Sequence, residues 1–82
     1  MGDHDLVEII EGALLAAGEP LSKKQLAQLF DELDRPSTSD IIAALAEVAE
    51  RCDGRGFELA EVASGFRFQV RQNLSPWVSK LW

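Results

Sequence analysis

The sequence SDIIAALAEVAERC, residues 39–52, decides the fold that we predict for this chain. Its apolar residues recur at the spacing of a single buried helix face: Ile41, Leu45, Val48, Ala49 and Cys52. The outward positions of the same helix hold mostly small or acidic side chains: Asp40, Ala43, Ala44, Ala46, Glu47 and Glu50. Ser39 alone, or Ser37 together with Asp40, can cap this helix, and two glycines, Gly54 and Gly56, end it.

A change of period after this helix predicts a β-hairpin. Aromatic and apolar residues alternate with polar ones along the stretch FRFQVR, residues 66–71, which is typical of a strand with one buried face. The stretch 57–62 is the partner strand, and residues 63–65 suit a three-residue loop with Gly65 in a left-handed conformation. Beyond the hairpin, Ser75 is predicted to cap a further helix with Pro76 in its first turn. Its apolar stripe is Leu74, Trp77, Val78 and Leu81.

Two helices are predicted before residue 39. The first begins at a cap on Asp3 or Asp5 and runs to about Ala17, where Gly18 and Pro20 stop it. The second is predicted over residues 23–33, behind a capping box of Ser22 and Gln25 and with an apolar stripe of Leu26, Leu29 and Phe30. The segment 20–22 between the helices is expected to be extended and is the candidate for a short first strand.

This order of elements predicts an α+β fold that is mainly helical, a winged helix-turn-helix of three helices plus a β-hairpin wing. We assign residues 1–74 to this winged-helix domain. Residues 75–82 are predicted to start a helix that leads to a second winged-helix domain, absent from this chain.

The composition of the chain limits the classes of function that it can have. The 82 residues carry a net charge of −6, and the first 50 hold eleven acidic residues against three basic ones. Nucleic-acid affinity depends mainly on Lys and Arg that neutralise phosphates, so this balance argues against an electrostatic DNA binder. The chain contains no long apolar run and no signal-peptide pattern, which predicts a cytoplasmic protein without a membrane span.

The sequence shows no catalytic or metal-binding pattern. Cys52 is the single cysteine and His4 the single histidine, so no internal disulfide and no zinc-like ligand spacing exist. His4 is expected in a frayed terminus, and Cys52 is expected to be a small buried apolar residue. We therefore predict a protein that is not an enzyme and that needs no cofactor or metal.

The predicted fold is compatible with DNA binding, but the residues at the contact positions are not. A recognition helix reads bases mainly with Arg, Lys, Asn or Gln near its N-terminus, whereas this one offers Asp40 and Glu47. The weak candidates for contacts to a DNA backbone are three arginines in or beside the wing: Arg55, Arg67 and Arg71. The alternative is that these arginines only keep the strand face solvated. Direct nucleic-acid binding is thus expected to be weak or absent.

The first helix carries a stronger interaction signal. One face is the ordinary core stripe, made of Leu6, Val7, Ile10, Ala13, Leu14 and Ala17. A second apolar side lies outside that stripe: Ile9, Gly12, Leu15 and Ala16. We interpret it as a dimer or partner interface because small residues let another helix approach closely. The alternative is internal packing against the wing or Trp77. Trp77 and Trp82 are a second candidate surface, with contact to the missing domain as the alternative.

Two stretches carry a resemblance to a known family. The sequence IIEGALLAAGEPLS, residues 9–22, and the sequence FELAEVASGFRF, residues 57–68, resemble the segregation and condensation protein B family. The resemblance covers the chain from about Leu6 to Leu81. The loop 31–38 departs from it by being more acidic and longer.

The resemblance implies the first of two successive winged-helix domains in a non-catalytic subunit. Such a subunit forms a homodimer and binds a kleisin (ScpA-like), which closes the ring of a chromosome-organising SMC ATPase. It therefore acts in chromosome condensation and segregation, in the cytoplasm and with the nucleoid through that complex. The runner-up function is a winged-helix transcriptional regulator that binds DNA.

Overall fold

A computed structural model describes residues 4–82, except for the side chains of residues 4 and 5. Three helices come first: α1 over His4–Ala17, α2 over Lys23–Ala27 and α3 over Thr38–Arg51. A hairpin follows, with β1 over Phe57–Val62 and β2 over Gly65–Val70. A short helix, α4, spans Ser75–Val78 and is flanked by 3₁₀ turns at Gln72–Leu74 and Ser79–Leu81. The order confirms the α+β winged helix-turn-helix prediction.

The first helix ends where the sequence predicts. Gly18 follows the last residue of α1 and has φ +68°, the left-handed conformation that glycine adopts without steric cost. Asp3, one of the two predicted caps, lies outside the described residues, as do the side chains of His4 and Asp5. Ala17 was expected in the core and is exposed instead, because it lies one turn beyond Leu14, the last buried residue of α1.

The second helix is shorter than predicted. Its capping box is present, with the Ser22 hydroxyl accepting from the Gln25 amide and the Gln25 side chain accepting from the Ser22 amide. The helix nevertheless ends at Ala27 instead of continuing to residue 33. Leu26 is fully buried while Leu29 is 52% exposed, so one turn has an apolar surface to cover and the next does not.

The third helix begins one residue earlier than predicted. Ser37 is its N-cap and forms a capping box with Asp40, whereas Ser39 lies inside the helix. The prediction of its buried face was right for Ile41, Leu45, Val48 and Cys52. It was wrong for two alanines, because Ala44 is buried and Ala49 is exposed.

A β-bridge connects the wing to the segment between α1 and α2. Strands β1 and β2 pair antiparallel with Val62 opposite Gly65, so the loop has two residues instead of three. Leu21 pairs with Phe66 through two backbone hydrogen bonds of 2.9 and 2.8 Å, which confirms the short first strand as one bridge residue. Gly65 has φ +144°, and a Cβ there would overlap the Leu21 carbonyl group.

The core lies between α1, α2 and α3, with the wing closing one side. Its buried members are Val7, Ile10, Leu14, Leu26, Ile41, Ala44, Leu45 and Val48. Leu59, Phe66 and Phe68 pack against it from the hairpin. Phe68 also meets Phe57 edge to face, with ring centroids 5.3 Å apart.

The C-terminal residues form a short helical segment, in which α4 is continuous with the 3₁₀ turns on either side of it. Leu74 is the N-cap of α4 and Ser75 its first residue, so Ser75 is not the predicted cap, although Pro76 does lie in the first turn. The assignment of residues 75–82 as a lead into a second domain stays a prediction. Among residues 4–82, no helix is long and apolar enough to cross a membrane.

Candidate protein interface

The outward face of α3 has no group suited to reading DNA bases. Asp40 uses one carboxylate oxygen to accept from the Ser37 amide, and Glu47 pairs with Arg51 at 3.8 Å. Ala43, Ala46 and Glu50 are exposed as predicted. The face is therefore acidic where a recognition helix presents hydrogen-bond donors to bases.

The three wing arginines differ in their surroundings. Arg71 is tied into the fold, because its guanidinium donates to the Arg55 carbonyl at 2.8 Å and to the Cys52 carbonyl at 2.9 Å. It also meets the Glu58 carboxylate at 3.3 Å. These bonds join the end of α3 to the hairpin, so few of its donors remain for another molecule. Arg55 and Arg67 are exposed.

The second apolar side of α1 is largely open to solvent. We refer to Ile9, Gly12, Leu15 and Ala16 as the α1 outer face. Leu15 is 66% exposed, Gly12 and Ala16 are exposed, and Ile9 is half-buried. A Cβ added to Gly12 meets nothing within 4 Å, so the domain itself does not require glycine there. Of the four residues, only Ile9 has the partial burial that internal packing requires.

One end of the α1 outer face meets the wing. Leu15 and Arg67, predicted for different roles, line a common groove of about 260 Å³ together with Leu14, Gly18, Glu19, Pro20 and Phe68. At the other end of the chain, Trp77 is 66% exposed and Trp82 is 90% exposed. Both tryptophans therefore present apolar surface, as the sequence predicts.

A further groove, which the sequence analysis missed, lies between α3 and the wing. It has a volume of about 360 Å³, and we name it the α3–wing groove. Its lining is mostly apolar: Lys23, Ile42, Leu45, Ala46, Ala49, Leu59, Glu61 and Phe66. The available signal was Ile42, a large apolar residue that falls outside the buried stripe of its helix and is 50% exposed.

The described residues bring together few groups with reactive chemistry. Cys52 is buried, and its thiol donates to the Val48 carbonyl at 3.3 Å, as expected for a small core residue. In the part of the chain that the structure describes, no three His, Cys, Asp or Glu side chains converge as metal ligands would. The exposed surfaces offer apolar contact instead.

Three helices, the third of them without base-reading side chains, and a bridged hairpin define a winged-helix domain with exposed apolar surfaces. The model of the family described as segregation and condensation complex subunit ScpB matches residues 8–82. The chain belongs to this ScpB family.

Relatives agree with this assignment over most of the chain. The chain is 50% identical to a segregation and condensation protein B homolog of Coxiella burnetii over 74 residues, which is 90% of this chain and 35% of the relative. It is 38% identical to segregation and condensation protein B of Bacillus subtilis, over 89% of this chain and 36% of the relative. The chain thus spans little more than a third of the length of these relatives.

A solved structure matches the whole fold. It is a crystal structure of a dimer of the ScpB N-terminal domain complexed with ScpA peptide. The match has a TM-score of 0.83 and 28% identity and covers 96% of both chains. The similarity confirms the winged-helix architecture and places the chain with ScpB N-terminal domains.

Proposed function

We propose that this chain acts as the N-terminal winged-helix domain of a non-catalytic subunit of a bacterial SMC–kleisin condensin. In this role it forms a homodimer and binds the kleisin ScpA, and through the kleisin it joins the SMC ATPase in chromosome condensation and segregation. It lies in the cytoplasm and associates with the nucleoid through the complex. The observation that carries the proposal is the similarity to a dimeric ScpB N-terminal domain with bound ScpA peptide over 96% of both chains.

We assign the homodimer contact to the α1 outer face, with Trp77 as a secondary anchor. Leu15 supplies apolar area that is 66% exposed in the single chain. Gly12 and Ala16 are four residues apart on one side of α1, and this spacing of small residues lets a second helix approach closely. The same contact repeated by a twofold axis gives a closed dimer.

A DNA-binding regulator is the weaker function. Its recognition helix would present Asp40, Glu47 and Glu50 to phosphates, which repel carboxylates. Arg55 and Arg67 are the exposed wing cations left for a backbone contact, and Arg71 is bonded within the fold. Two exposed cations supply too little phosphate neutralisation for stable binding at physiological salt.

Sedimentation equilibrium of Leu15→Glu tests the dimer. Residue 15 is exposed, so a carboxylate there leaves folding intact but would bury a charge in the proposed contact, which weakens association strongly. Leu33→Glu is the matched control, because Leu33 is 99% exposed and lies outside α1. We expect wild type and Leu33→Glu to dimerise and Leu15→Glu to remain a folded monomer by circular dichroism.

Two results would contradict parts of the proposal. A wild-type chain that stays monomeric at every concentration removes self-association by this domain. A dimer that tolerates Leu15→Glu moves the contact away from Leu15. Ile9→Glu then separates the two ends of the face, since Ile9 is half-buried and Leu15 is exposed.

A further inference from the structure

The α3–wing groove exists because small side chains of α3 face the hairpin. Ala46 and Ala49 lie one turn apart on the side of α3 next to β1 and are exposed, and neither reaches far enough to fill the space. Ile42, one turn earlier, is half exposed. Leu59 and Phe66 form the opposite wall and are themselves packed against the core. The groove is therefore apolar and has fixed walls.

Acidic side chains lie on the α3 and β1 sides of this groove, and a basic one lies on its α2 side. Glu61 lies in its lining, and Glu50 lies next to Ala49 and one turn after Ala46, with its side chain exposed. Lys23 is the positive member of the lining. The chain as a whole carries a net charge of −6, so the surrounding field favours a positively charged partner.

Three kinds of occupant can be compared on this basis. A nucleic acid would place phosphates beside Glu50 and Glu61 and gain nothing from the apolar walls. A second copy of this chain is already assigned to the α1 outer face, which shares no residue with the groove lining. A peptide segment with apolar side chains beside Lys or Arg satisfies both the walls and the charges.

We propose that the α3–wing groove receives a segment of the kleisin in which apolar side chains are flanked by Lys or Arg. The proposal rests on the kleisin binding proposed above and assigns it a place in this domain. Ile42, Ala46 and Leu59 contact the apolar side chains of the segment, and Glu50 and Glu61 attract its basic residues. The volume of about 360 Å³ is in the range of pockets that hold a few side chains of a ligand.

Filling the groove tests this assignment. In Ala46→Trp an indole would occupy the groove from an exposed helix position, so the domain should fold normally. Ala43→Trp is the matched control: it is the same change on the same helix, three residues earlier, at an exposed position that lies outside the groove lining. Overlapping peptides that tile ScpA from the same organism are the probes, and their affinity is measured by fluorescence anisotropy.

We expect one or more peptides rich in apolar and basic residues to bind the wild-type chain. Ala46→Trp should weaken that binding by at least about tenfold, while Ala43→Trp changes it by less than about twofold. Chemical shifts of the bound wild-type chain should change most at Ile42, Ala46 and Leu59.

The outcomes separate the two proposals. If the wild-type chain binds a peptide and Ala46→Trp binds it equally well, the groove assignment is wrong while kleisin binding stands. An equal loss in Ala46→Trp and Ala43→Trp also excludes the groove as the specific site. If the wild-type chain binds none of the ScpA peptides, kleisin binding by this domain is refuted, and the groove assignment is refuted with it.

Discussion

Replacement of Gly65 by alanine is expected to be the most damaging glycine substitution in this domain. A Cβ at residue 65 would lie 2.6 Å from the Ser22 amide nitrogen and overlap the Leu21 carbonyl group. Relief of this overlap has to separate Leu21 from Phe66 and break their two hydrogen bonds. The backbone of residue 65 has φ +144°, a conformation that residues with a Cβ rarely adopt. A change of this φ would shift the hairpin.

The expected loss of stability is the sum of the backbone strain and the two lost hydrogen bonds. Backbone strain contributes about 1 to 3 kcal/mol. The two bridge hydrogen bonds contribute about 1 kcal/mol each. Gly65→Ala should therefore lower the free energy of unfolding by about 3 to 5 kcal/mol, out of roughly 4 to 12 kcal/mol for 82 residues. The melting temperature should fall by at least about 10 °C.

Two other glycines supply matched controls for the same change. Gly18 has φ +68° but open space where a Cβ would lie, so Gly18→Ala should cost only the strain, about 1 kcal/mol. Gly12 is inside α1 with open space and no positive φ, so Gly12→Ala should stabilise the monomer by about 0.5 to 1 kcal/mol. Urea unfolding followed by circular dichroism, at dilutions where the chain is monomeric, gives all three values. A Gly65→Ala loss no larger than that of Gly18→Ala would refute the steric argument.

Three further predictions concern Arg71, Cys52 and DNA. Arg71→Gln should lower the free energy of unfolding by about 1 to 3 kcal/mol, because the Cys52 and Arg55 carbonyls and the Glu58 carboxylate each lose a bond to its guanidinium; urea unfolding measures it, and a change below about 0.5 kcal/mol would contradict this role. The Cys52 thiol should react with an alkylating reagent far more slowly in the native chain than in urea, since it is 2% exposed; equal rates would mean that it is not buried. A labelled DNA duplex at low salt should show no binding, or weak binding that Arg67→Gln reduces, and tight binding would favour the regulator instead.

Capping and turn chemistry were predictable because they depend on neighbours in the sequence. The box of Ser22 and Gln25 and the left-handed Gly18 are both set by residues within one helical turn, and both are present. The pairing of Leu21 with the wing also followed from the order of elements. Local rules therefore predicted the start of α2, the end of α1 and the winged-helix order of elements.

Packing between the elements determined which borderline residues are buried and where α2 ends. Ala44 and Ala49 lie on opposite borders of the apolar stripe of α3, so periodicity alone does not separate them. α1 packs over α3 and Ala44 is buried, while the space beside Ala49 remains open toward the wing. The length of α2 depended in the same way on whether Leu29 found a partner. The α3–wing groove results from this packing, and no charged or reactive motif in the sequence indicates it.

The α1 outer face was predictable as an apolar surface, because Ile9, Gly12, Leu15 and Ala16 fall outside the core stripe. Its exposure is confirmed for Gly12, Leu15 and Ala16, whereas its use in a dimer stays a proposal. No sequence rule distinguishes an apolar side that packs internally from one that meets a partner, since both bury the same side chains in the end.

The two proposed surfaces can operate together because they share no residue. The buried side of α1, which includes Ile10 and Leu14, faces the core, so the α1 outer face turns away from it. The α3–wing groove draws its lining from α2, α3 and the hairpin and takes none from α1. A dimer formed through α1 therefore leaves a groove open on each copy. In this arrangement α3 needs no side chains that read DNA bases. One of its flanks packs against α1, and the other forms a wall of the groove for the partner segment.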